Sequence, residues 1–308
     1  MSSRPSSAGA ESSADGRFQR QQSRFRDWVA EPEAGRYHLY VSWACPWAHR
    51  TVIGRRLKGL EDAIGMSVVD PIRGAAGWAF TGGEFVDEVN GFKLLGEAYA
   101  ASDAAFKGRF SVPVLWDKTE GRIVNNESGD VLRMLDTVFD PLATTDVELA
   151  PEHLRDDLDE LNAFLYDRVN NAVYKAGFTT NQAAYAEEVQ GLFDALDAMD
   201  ERLADRRFLF GDRPLETDWR LFTTLVRFDA VYAVHFKCDL QRITEYEHLW
   251  PYLRDLFQWP GIAETVRFEQ IRAHYYGTHQ QINPSGIVAL QPRADFRAPH
   301  GREALASA

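Results

Sequence analysis

Cysteine, basic residues and uninterrupted apolar stretches are all scarce in this chain, and each shortage removes a class of answers. The two cysteines, Cys45 and Cys238, lie far apart in unlike surroundings. A disulfide-stapled scaffold is therefore excluded; one bridge is the most that could form, and a reducing compartment leaves both residues as thiols. Lysine and arginine number 34 against 46 acidic residues, a formal net charge of -12. A surface of that average sign repels nucleic acid and anionic membrane, and points to a small molecule or a protein as partner. No apolar run approaches the roughly 18 residues that span a bilayer. The Ser-rich, polar N-terminus carries no apolar signal core, so the expected location is the cytoplasm.

Hydrophobic residues make up 45% and aromatic residues 12% of 308 residues, enough for two ordinary domains. Residues 1–16 are rich in Ser, Ala and Gly and read as a disordered tail. Strand signals fall at residues 37–42, 66–69, 111–116 and 122–124, with helical spacing over 47–60 and from Asn126 to about Phe139. The long segment 74–108 between them is polar and Gly-containing, a candidate functional loop. From Pro151 onward the pattern is helical: 156–169, 182–203, 218–236, 248–257 and 262–273 all space apolar residues by three and four. The expectation is an α/β domain over 17–145, an all-α domain over 146–276 and a C-terminal tail over 277–308.

The sharpest chemistry lies in Ser42-Trp43-Ala44-Cys45-Pro46-Trp47-Ala48-His49-Arg50. A cysteine that follows a strand and precedes Pro sits at a helix N-cap, because Pro suits the first helical position. Free N–H groups and the helix dipole there favour the thiolate, which predicts a pKa lowered from about 8.5 to roughly 3.5–7.5. Ala48 stands where a dithiol oxidoreductase carries its second cysteine, so Cys45 must exchange with an outside thiol. The bland alternative is a small buried cysteine that happens to precede Pro. Two features count against it. Val112-Pro113 precedes a strand, as does the cis-proline beside the active cysteine of thioredoxin-like folds, and Asn125-Asn126-Glu127-Ser128 opens a helix where free N–H groups suit an amino-acid carboxylate. His49 and Cys238 read more simply as packed residues than as a tuning base and a resolving thiol.

In their order and spacing these words, with Gly77-Trp78-Ala79-Phe80 and His235-Phe236-Lys237-Cys238, resemble the Xi class of glutathione transferases, the glutathionyl-hydroquinone reductases, from about Phe18 to Tyr276. The resemblance implies a thioredoxin-like first domain followed by an all-α one, glutathione as co-substrate, no metal, a homodimer and Cys45 as nucleophile. It further implies that Glu127 and Ser128 hold the γ-glutamyl end, that Val112 pairs the cysteinyl backbone, and that Trp78 and Arg109 contact the tripeptide. Tyr174, Tyr232 and Tyr275 match the quinol pocket, with Tyr276 adjacent to the last. A phenol suits that role: its ring packs on an aromatic substrate while its hydroxyl bonds the substrate oxygen, and Tyr275 is the first choice to protonate the leaving ring. One departure is Leu215, where many relatives place Ser or Thr three residues ahead of Asp218, a lost cap expected to cost about 1 kcal/mol. Rival readings are a broader thiol transferase or dehydroascorbate reductase using the same thiolate, and a transferase-like scaffold that binds proteins without catalysis.

Overall fold

The computed structural model describes residues 13–306. Four strands form one sheet: β1 (Tyr37–Val41), β2 (Gly65–Val68), β3 (Val114–Asp117) and β4 (Arg122–Asn125), in the order β2-β1-β3-β4. β1 pairs parallel with β2 and antiparallel with β3, which pairs antiparallel with β4. Every side chain of β1 is buried, as a central strand covered on both faces requires. Helices α1 (Pro46–Leu57), α2 (Leu95–Ser102) and α3 (Ser128–Asp136) complete this first domain. Helix α2 lies inside the segment expected to be irregular. Its start is set by Glu97, whose carboxylate accepts the N–H groups of Lys93 and Leu94, both at 2.8 Å.

The second domain is helical: α4 (Arg155–Leu165), α5 (Ala172–Phe178), α6 (Gln182–Arg202), α7 (Glu216–Arg227), α8 (Ala233–His235), α9 (Leu249–Gln258) and α10 (Phe268–Thr278). Two expected helices are broken by π-helical turns. One, Tyr166–Asn170, separates α4 from α5; the other, Phe228–Tyr232, separates α7 from α8. A π turn places an extra residue in the helix and re-aims the side chains beyond it, and such turns gather at functional sites. Among the described residues no helix is long and apolar enough to cross a membrane.

The domains are tied at their seam by buried charge. Arg133 of α3 donates to both carboxylate oxygens of Glu216 on α7, at 2.9 and 2.5 Å. Leu215, just before α7, lacks a side-chain acceptor, yet half of the cap survives: Asp218 accepts the Leu215 N–H at 2.8 Å. The leucine is buried against Ala150 and Leu158, so its packing offsets the missing hydroxyl. Of the tail expected over 1–16, residues 1–12 lie outside the described residues. Residues 13–16 form a turn docked on the helical domain, where the Gly16 carbonyl accepts from the Thr180 N–H at 3.0 Å and the Thr179 hydroxyl at 2.9 Å.

Candidate active site

Cys45 caps α1 with extended backbone angles, φ -77° and ψ 121°, and Pro46 begins the helix. Its thiol points across to the chain entering β3 and donates to the Val112 carbonyl at 3.5 Å. The Val112–Pro113 peptide is cis. The cysteine is half-buried on a cavity of about 690 Å³ that runs between the two domains.

The electrostatics at the sulfur correct the simple helix-dipole expectation. The largest influence is burial, which pushes the Cys45 thiol up from its ordinary value. Working against burial are hydrogen bonding to the backbone of Ala48 and Trp47 and the guanidinium groups of Arg227 and Arg20. The dipole acts in the expected direction but is outweighed by enclosing walls that a local sequence motif does not display.

One wall of the cavity belongs to the first domain. Glu127 caps α3 by accepting the Gly129 N–H at 3.3 Å, and its other carboxylate oxygen accepts the Ser23 hydroxyl at 2.8 Å. Ser128 follows at the helix start, its hydroxyl accepting from Arg50 at 3.4 Å. The Arg50 guanidinium is buried. It also donates to Asn170 at 2.8 Å and lies 4.5 Å from the Trp47 ring. Burial, with Arg220 nearby, lowers its pKa to about 9, which still leaves it a cation at neutral pH. Trp78 stacks on His274 of α10 at 4.9 Å. Arg109 lines the same cavity, its backbone held at both ends by the Gln21 amide: the N–H donates at 2.8 Å and the carbonyl accepts at 3.3 Å.

The opposite wall is aromatic and comes from the helical domain. Tyr174 of α5, Tyr232 at the end of the second π turn and Tyr275 of α10 meet at their hydroxyls. Tyr174 and Tyr275 are 2.5 Å apart, and Tyr232 and Tyr275 3.1 Å. Tyr174 and Tyr275 line the cavity, whereas Tyr232 stands behind them, fully buried. Burial, reinforced by the neighbouring phenols, pushes Tyr275 and Tyr232 well up, so both remain protonated at neutral pH. Tyr276 points away and donates to the Ala230 carbonyl at 3.3 Å.

Cys45, Trp78, Arg109, Val112, Glu127, Ser128, Tyr174 and Tyr275 thus share one cavity, with Tyr232 one hydrogen bond behind it. Cys238 is fully buried away from it, its thiol pushed up by burial. His49 is buried on α1 beside Thr265 and Arg227.

The sequence reading missed several contributors. An N-terminal arm crosses the cleft and supplies Arg20, which donates to Asn171 at 2.6 Å and sits 4.5 Å from the Tyr174 ring. Arg73 and His279 also line the cavity. The signal available for Arg227 was an arginine set in the otherwise apolar stretch Leu225-Val226-Arg227-Phe228, a buried charge in need of a reason.

Known proteins are similar to this chain in sequence and in fold. Family models described as the N-terminal and C-terminal domains of glutathione S-transferase match residues 44–138 and 182–255. The chain is 47% identical to the glutathionyl-hydroquinone reductase YqjG of Escherichia coli over 307 residues, covering 94% of each chain. A Xi class GST from Natrialba magadii is 52% identical and superposes with a TM-score of 0.89, over 91% of this chain and 89% of that one. The glutathione-bound structure of YqjG is 47% identical with a TM-score of 0.89, over 91% and 96%. Kinship that runs through both domains at this level has one meaning: the chain belongs to the glutathione S-transferase family, in its Xi class.

Proposed function

We propose that the chain reduces glutathionyl-hydroquinones to hydroquinones at the expense of glutathione, with Cys45 as the nucleophile. The observation that carries this reading is a single cavity of about 690 Å³ with a cysteine at a helix start on one side and a cluster of phenols on the other. A tripeptide thioether needs a polar groove for its peptide and an apolar, hydroxyl-bearing wall for its ring. The E. coli relative carries that activity in its name, and its solved structure is described as glutathione-bound.

In this scheme the γ-glutamyl end lies at the start of α3, against Ser128 and Glu127, with the buried Arg50 cation behind Ser128. Val112 offers its backbone to the cysteinyl unit, and Trp78 and Arg109 close over the tripeptide. The Cys45 thiolate attacks the thioether sulfur, forming a disulfide between Cys45 and glutathione. The carbon–sulfur bond breaks and its electron pair stays on the ring carbon. That carbon takes a proton from Tyr275, which burial keeps protonated, and the hydroquinone leaves. A second glutathione gives up its thiol proton, which restores the Tyr275 hydroxyl, and its thiolate attacks the mixed disulfide, releasing oxidised glutathione and regenerating Cys45. Two half-reactions through a covalent intermediate give ping-pong kinetics. The same family reading expects a homodimer, which light scattering measures directly.

Cys45→Ala removes the attacking atom, so turnover of a glutathionyl-hydroquinone falls to the uncatalysed background while the fold is kept. Mass spectrometry of the unsubstituted chain after exposure to that substrate finds a glutathione adduct on Cys45. Near-normal turnover by the alanine variant would refute the assignment.

A further inference from the structure

Arg227, on the last turn of α7, has no solvent exposure. Its guanidinium donates from Nε to the Ala44 carbonyl at 3.0 Å, from Nη2 to the Trp43 carbonyl at 3.0 Å, and from Nη1 to the Thr223 carbonyl at 2.8 Å. Nη1 also reaches His49 Nδ1 at 3.0 Å. Arginine can only donate, so His49 Nδ1 accepts and its Nε2–H donates to Thr265 at 2.8 Å. The histidine is neutral in that tautomer, and burial together with Arg227 holds its pKa well below the ordinary value. All of these partners are uncharged. Among the described residues no carboxylate lies within ion-pair distance of Arg227.

A cation sealed from water without an anion is costly, and peptide dipoles compensate it only in part. The two carbonyls that it holds belong to the residues immediately before Cys45. We infer that Arg227 is a positioning residue for the reaction: it fixes the Trp43 and Ala44 carbonyls that aim the Cys45 sulfur, and it is the standing countercharge for that sulfur when it ionises. The inference rests on the proposed role of Cys45 as nucleophile.

Other groups face the same sulfur. Arg20 from the N-terminal arm and Arg227 pull its pKa down, while Arg50 on α1, Arg73 from the loop after β2 and Tyr174 on α5 each register its charge. Glu127 caps α3 across the cavity. Arg227 differs from the other arginines in being bonded rigidly to the peptide that carries the cysteine.

The test follows the pH dependence of Cys45 alkylation by iodoacetamide, read by mass spectrometry on the Cys45 peptide so that Cys238 does not contribute. Arg227→Gln keeps donors but loses the charge. Its alkylation midpoint should rise by about one pH unit, slowing modification at pH 7 about tenfold. Arg227→Lys keeps the charge and should restore most of that rate. A glutamine variant with the unsubstituted midpoint would overturn the inference, because a purely structural role lowers stability without moving that midpoint. A second measurement needs no change at Arg227. By NMR its Nε–H resonance should titrate with the midpoint of Cys45 alkylation in the unsubstituted chain and stay flat in Cys45→Ser. A flat resonance in both would sink the inference even if the glutamine variant fails to fold. Were Cys45→Ala to remain active, the proposed function would fail by a separate assay.

Discussion

The two walls of the cleft are assembled by different means. On the first-domain side the functional groups sit at the starts of elements: Cys45 at the N-cap of α1, Val112 just before β3, Glu127 and Ser128 at the start of α3. Their placement depends on which residue ends a strand and which begins a helix. On the helical side, three phenols 101 and 43 residues apart along the chain converge on one hydroxyl cluster, across α5, a π turn and α10. Nothing local sets that meeting. The polar wall is built from backbone geometry and suits a constant peptide; the aromatic wall is built from packing and suits a variable ring.

If this division holds, substitutions on the two walls fail in different ways. Tyr275→Phe keeps the ring and removes the hydroxyl that would protonate the leaving carbon. Its kcat on a glutathionyl-hydroquinone should fall about a hundredfold, within the range for loss of a general acid. Its rate on a simple glutathione mixed disulfide, whose leaving thiolate needs no such proton, should hold. Equal losses on both substrates would dissolve the distinction and favour a broader thiol transferase. Ser128→Ala touches the shared peptide, so it should raise KM about tenfold for both substrates with kcat little changed, the pattern for loss of uniform binding. A loss confined to the quinol substrate would place Ser128 on the wrong wall.

The same contrast explains what could be read from the sequence. The order strand, Cys-Pro helix, strand, Val-Pro strand, strand, Glu-Ser helix was legible because each step is a short-range rule about caps, turns and periodicity. The tyrosines were reached only by resemblance to a family, since a half-buried tyrosine on a helix looks alike in core and pocket. The π turns escaped because apolar spacing runs through them without a break; helix α2 escaped because its eight residues lie among glycines and polar residues. The thiol's electrostatics were misjudged for a related reason. The helix dipole is written in the Cys-Pro motif, whereas the burial that outweighs it is set by how the two domains close around the cysteine, which no local motif displays.

Leu215 supplies the smallest expected effect and a control for both walls. It lies outside the cavity, in extended backbone with φ -104° and ψ -179°, a conformation that suits a capping residue. Replacing it by Ser would add the missing acceptor for the α7 N–H groups, worth about 1 kcal/mol. The leucine, however, is only 6% exposed and packs on Ala150 and Leu158. Removing such a buried side chain costs about 2–5 kcal/mol, so burial outweighs the cap. Leu215→Ser should therefore lower stability by about 2 kcal/mol, the balance of those two effects, and drop Tm by a few degrees. Rates on quinol and disulfide substrates should be untouched. A variant melting above the unsubstituted chain would mean that the helix end, not the packing beneath it, limits stability at the seam between the domains.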